Sequence, residues 1–188
     1  MQRTIFALSI ALLGVPVLAA DEAKLLEEAR LVAQSLPPKL LSVIQSEIKK
    51  GGPEQAIGAC RDLAPKIAAE ASQETGWGIR RVSLKNRNPK AVPDEWEKSV
   101  LAEFEQRLAA GEPGMAVEKG MVVFEGDKKF YRYMRPLITQ KACLDCHGPE
   151  EGISPSVKAR LKELYPLDTA TGFTEGKLRG ALTIRKPL

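Results

Sequence analysis

The sequence predicts an α+β fold, with helices gathered at the start of the chain and an antiparallel sheet after them. Three patterns carry the prediction. Apolar residues recur at helical spacing up to about residue 70, and two β-rich runs flank Gly126-Asp127, a dipeptide suited to a hairpin. The last stretch, Leu178 to Arg185, alternates like a strand.

From Asp21 to Leu36, positions Leu25, Ala29, Val32 and Leu36 share one helical stripe, and Asp21, Glu22, Glu27 and Glu28 suit the positive end of the helix dipole. Pro37-Pro38 is expected to end this helix. A second, from Pro38 to Lys50, turns Leu40, Leu41, Ile44 and Ile48 inward and stops at Gly51-Gly52. A third opens at Pro53 and aligns Ile57, Cys60, Ala64 and Ala68, so Cys60 points inward. Pro65 cannot donate to the carbonyl of Arg61 and is expected to bend that helix beyond Cys60.

After Gly76 the sequence predicts a strand over 77–84, then a loop through Arg87-Asn88-Pro89 and Pro93. A helix over 94–110 follows, with Asp94 as its N-cap. Strands over 121–125 and 129–137 form the hairpin, a short helix spans 156–164, and a strand over 178–185 closes the chain. In that strand Leu178, Gly180, Leu182 and Ile184 alternate with Arg179, Ala181, Thr183 and Arg185, which predicts one buried and one solvated face.

Met1 to Ala20 reads as a cleavable export leader: Arg3, an apolar run from Ile5 to Leu18, then Ala19 and Ala20. The run is short for a membrane span and contains Gly14 and Pro16. Residues 21–188 are therefore expected to form one domain, soluble in the periplasm. A net charge of +4 with no polybasic tract gives no indication of nucleic-acid binding.

Cys143-Leu144-Asp145-Cys146-His147 is the stretch that carries chemistry. In an exported protein, C-x-x-C-H reads as a c-type haem attachment site: two thiols add to the porphyrin vinyl groups and the adjoining His is the proximal ligand of the iron. His147 is the one histidine of the chain. A thioredoxin-like motif would open a helix, whereas Gly148-Pro149 favours a loop. A zinc set of Cys60, Cys143, Cys146 and His147 is possible by count, although two of its ligands are sequence neighbours.

Several stretches occur together in a recognisable order. They are Ala56-Ile57-x-x-Cys60 with Ala64-Pro65, Arg81 and Ser83 before Arg87-Asn88-Pro89, then Pro93 and Glu97, the Cys143 to Gly148 motif, and Tyr165-Pro166-x-Asp168 with Gly172, Gly176 and Arg179-Gly180-Ala181. In these the chain resembles a family of periplasmic c-type haem proteins with a PAS-like fold, long catalogued as a domain of unknown function. The resemblance covers nearly all of residues 21–188. It implies a PAS-like sheet with one haem bound against it, His147 as proximal ligand and Cys60, by motif, as distal ligand. One departure is Ala91, where the family pattern has a second Asn in the loop after Pro89.

Three functions follow for comparison. A haem sensor of redox state or of a diatomic gas such as CO or NO would act through a partner protein, since the chain carries no output domain of its own. An electron carrier would favour a Met ligand, for which Met115, Met121 and Met134 are candidates. A haem enzyme would need a distal acid or base, usually His, and none remains after His147, so Arg80, Arg81 or a Glu would have to substitute. Arg81, Tyr131, Arg132 and Tyr133 are candidate donors to the haem propionates, the alternative being solvated strand faces. If the leader is cleaved, mass spectrometry of a periplasmic fraction will find the N-terminus near Ala20 or Asp21; intact Met1 in a membrane fraction would show an anchor instead.

Overall fold

The computed structural model describes residues 16–188, so most of the leader expected over 1–20 lies outside the described residues. The fold is α+β: helix α1 (Pro16–Thr75), strand β1 (Gly78–Val82), α2 (Glu95–Ala109), the hairpin β2 (Lys119–Glu125) and β3 (Lys128–Ile138), α3 (Leu144–His147), α4 (Pro155–Leu164) and β4 (Leu178–Pro187). The four strands form one antiparallel sheet in the order β1-β4-β3-β2. Among the described residues no helix is long and apolar enough to cross a membrane.

α1 differs from the three helices expected. It passes through Pro37-Pro38 and through Pro65, and leaves helical backbone only at Gly51 and Gly52, where Gly52 takes φ 75°. An interior proline costs about 3 kcal/mol of helix stability. Burial flanks the prolines: Ala29, Val32, Ala33 and Leu36, before Pro37, and Ala71, beyond Pro65, pack in one cluster with Trp77, Tyr131, Tyr133, Leu182 and Ile184. The second half of α1 thus folds back over the first, and at the tip the Gln55 side-chain amide donates to Glu47 (3.2 Å).

α1 covers one face of the sheet and α2 the other. The second core layer joins Val82, Met134 and Ala181 of the strands to Val100, Leu101 and Phe104 of α2 and to Val117. β4 is consequently buried on both faces, and Ala181 and Thr183, expected in solvent, are interior. The alternation in β4 is real, but its outer face is roofed by α2. That helix starts with a full capping box: the Glu97 amide donates to Asp94 Oδ1 and the Asp94 amide to Glu97 Oε2, both at 2.9 Å.

The capping residues also take the charge of β3. Arg132 Nη2 donates to Asp94 Oδ2 at 2.6 Å and lies 3.2 Å from Glu97 Oε1, while its guanidinium stacks over Trp96 at 4.3 Å. Arg80 pairs with the same buried Glu97. β4 meets β1 with no room to spare: at Gly180, φ is +152° and a Cβ would lie 2.3 Å from the Val82 carbonyl oxygen. Gly180→Ala should therefore lose ~3 kcal/mol in urea unfolding, toward the upper end for overpacked sites, because backbone rather than a side chain stands in the way.

Candidate functional site

β3 delivers the chain to a turn of 3-10 helix at Lys141–Cys143 and then to the single turn of α3, so Cys143, Cys146 and His147 follow one another on a short coil. Gly148 closes it. Its amide donates to the Leu144 carbonyl at 2.8 Å, and a Cβ there would sit 2.6 Å from that oxygen. The stretch between α4 and β4 pairs with this coil in extended fashion: the Phe173 amide donates to the His147 carbonyl (2.9 Å) and the Gly172 amide to the Gly148 carbonyl (2.8 Å).

The same stretch orients the imidazole. His147 Nδ1 lies 2.7 Å from the Ala170 carbonyl oxygen, which can only accept, so Nδ1 carries the proton and Nε2 keeps its lone pair. Burial, reinforced by the cations Arg179 and Arg87, pushes the His147 pKa down to about 2. The ring is thus a neutral donor through Nε2, the form a metal requires. Phe173 meets it edge to face, centroids 6.4 Å apart.

Three arginines surround the coil. Arg87 pairs through Nε with Asp168 Oδ2 (2.8 Å), donates through Nη2 to the Cys146 carbonyl (2.5 Å), and holds Nη1 3.5 Å from His147 Nε2. Arg179 stacks over Phe173 at 4.9 Å and donates through Nη1 to Ser83 Oγ (3.0 Å) and the Lys85 carbonyl (3.1 Å), leaving its Nε buried without a partner. Burial and the charges of Arg81 and Arg87 push the Arg179 pKa down to about 10. The neighbourhood therefore favours anions.

Cys60 comes to the same place from α1. Ile57, one turn before it, packs with Ile153, Val157, Leu161 and Tyr165, and Cys146 packs against this cluster. Burial pushes the Cys146 pKa up to about 11; Arg87 opposes that rise and the nearby Cys60 adds to it. The Cys60 thiol is likewise raised by burial and pulled down by Arg81 and Arg87. Both cysteines are thiols at neutral pH, set close to guanidinium groups that would stabilise a thiolate.

The structure gathers Cys60, Arg81, Cys143, Cys146 and His147 and sends the other candidates elsewhere. Tyr131 is buried on the α1 face edge-on to Trp77, Tyr133 donates its hydroxyl to Glu118 (2.8 Å), and Arg132 is held by the start of α2. The partners of these three lie within the sheet layers, away from the motif. Met134 belongs to the α2 core, whereas Met115 and Met121 are exposed. Arg80 is committed to Glu97 and to the Val92 carbonyl (3.2 Å). Among the described residues no three His, Cys, Asp or Glu side chains converge as a metal site, so the four zinc candidates do not form one.

Sequence reasoning did not assign roles to Arg87, Asp168, Ala170, Phe173 and Arg179. Arg87, Asp168 and Arg179 stood inside the motifs that carried the resemblance, which was the one signal available for them. The loop holding Arg87 manages without a second Asn: Asn88 Oδ1 accepts from the Lys90 amide (2.9 Å), and Ala91 closes through its own backbone to Asn88 and Ser83.

An antiparallel sheet between two helical layers, with a C-x-x-C-H coil following the inner strand β3 beside a half-buried cysteine, defines a small α+β domain built around one histidine. A family model described as Tll0287-like (Tll0287) matches residues 19–187, and the chain belongs to that family. Among solved structures it is similar to the cyanobacterial heme-protein Tll0287, with 24% identity, a TM-score of 0.61, and coverage of 89% of this chain and 95% of that one; at this identity the likeness speaks for the fold. No curated protein matches the chain.

Proposed function

We propose that this chain is a periplasmic c-type haem protein that acts as a sensor of redox state or of a diatomic gas such as CO or NO. The observation that carries the reading is the donor set: a neutral imidazole fixed through Nδ1 whose Nε2 meets, among the described residues, only Arg87 Nη1 (3.5 Å), two thiols on the same coil, and a half-buried Cys60 close by. The arginines fit as well. Arg179, with its unpaired buried Nε, and Arg81 are suited to the haem propionates. The haem protein Tll0287, similar in fold, agrees with this assignment.

In this reading Cys143 and Cys146 hold one haem covalently, His147 is the proximal ligand and Cys60 the distal one. Haem supplies an iron whose oxidation state and sixth ligand respond to electrons and to small gases. Cys60, as a thiolate, would favour the oxidised state, which suits a switch better than an electron relay. The electron-carrier reading loses support because Met134, the Met nearest in sequence to the motif, faces the α2 core. The output passes through a partner protein, and no nucleic acid or membrane insertion enters the scheme.

Two measurements test this. Protein matured with haem should keep it through acid-acetone extraction and denaturing electrophoresis, and replacing both Cys143 and Cys146 by Ala should abolish retention. The ferric spectrum should be of low-spin thiolate type and should turn high-spin or water-ligated in Cys60→Ala; an unchanged spectrum there would falsify the distal assignment.

A further inference from the structure

Arg87 is the most heavily engaged side chain at the site, yet the haem reading gives it no part. Its guanidinium and Asp168 are both about nine-tenths buried. Together they close a ring of bonds around the imidazole. Asp168 Oδ2 takes Arg87 Nε (2.8 Å), Asp168 Oδ1 takes the Ala170 amide (2.8 Å), the Ala170 carbonyl takes His147 Nδ1 (2.7 Å), and Arg87 Nη2 reaches the carbonyl of Cys146, next to His147 (2.5 Å). The ion pair thus ties the loop that fixes the histidine tautomer to the coil that carries both thiols.

We infer that Arg87 and Asp168 are positioning residues for His147 that also set the reduction potential of an iron bound at Nε2, with opposite signs. This rests on the haem reading above. A buried cation beside the ligand disfavours the extra positive charge of the ferric ion and raises the potential, whereas a buried carboxylate lowers it. Arg87 Nη1, 3.5 Å from Nε2, and an iron ion compete for one lone pair. That contact must be surrendered on attachment, while the bonds to Asp168 and Cys146 involve other nitrogens and can persist.

The test is a spectroelectrochemical titration of haem-loaded wild type, R87Q, R87K and D168N, with covalent haem quantified in each. R87Q should shift the midpoint potential negative and D168N positive, while R87K, which keeps the charge, should stay close to wild type. Damage to packing alone has no reason to give opposed signs. Shifts of R87Q and D168N in the same direction, or no shift, in a loaded protein would overturn the proposal and leave the haem reading standing. If R87Q does not fold or load, D168N carries the decision: a positive shift supports the proposal and any other result overturns it. A wild-type protein without covalent haem would instead overturn the haem reading, and this proposal with it.

Discussion

The short hydrogen bond from His147 Nδ1 to the carbonyl of Ala170 is the interaction on which the site depends, because it decides which nitrogen is left to act as a donor. It stands on a longer chain of causes. Ala170 is held by its amide on Asp168, and the residues just after it pair with the backbone of the motif, so the loop and the coil are aligned before any side chain is considered. The loop is anchored in turn at Asn86, whose carbonyl accepts from both the amide and the hydroxyl of Thr169. Segments from three parts of the sequence thus converge on one imidazole.

The sheet makes that convergence possible. β1 and β4 pair so closely at Gly180 that Ser83 and Arg179, on either side of the contact, exchange hydrogen bonds: Ser83 Oγ lies 2.8 Å from the Arg179 carbonyl and accepts from its guanidinium. A side chain at Gly180 would separate the strands where Arg179 is aimed. The two core layers, one under α1 and one under α2, hold the strands between them and leave the motif beyond the end of β3, where α4 and the second half of α1 complete its surroundings.

Much of this was legible in the sequence, and the limits have physical reasons. The Cys143 to His147 coil could be read because its chemistry lies within five consecutive residues, and α2 because its cap and box do as well. The engagement of Tyr131, Arg132 and Tyr133 within the sheet layers was not legible, because alternation in a strand tells which residues share a face and not what covers it. Ala181 and Thr183 mislead for the same reason. Pro37-Pro38 did not act as a stop signal: the helix runs on through both and breaks only at Gly51 and Gly52. Arg87 and Asp168, 81 positions apart, meet only when loops on different strands close over the motif, and no local pattern announces that.

The double glycine in α1 leaves that helix with two different foundations. Its first half rests on the sheet through Ala29, Val32 and Leu36, whereas around Ile57 and Cys60 the returning half rests on α4 and the motif, before Ala71 brings it back to the sheet core. The returning half is therefore a beam seated at both ends on different supports, with a swivel at Gly51-Gly52 near one of them. Cys60 lies nearer the Gly51-Gly52 end of this beam than its seat at Ala71, so a shift at the cysteine would bear first on the α4 support rather than on the sheet.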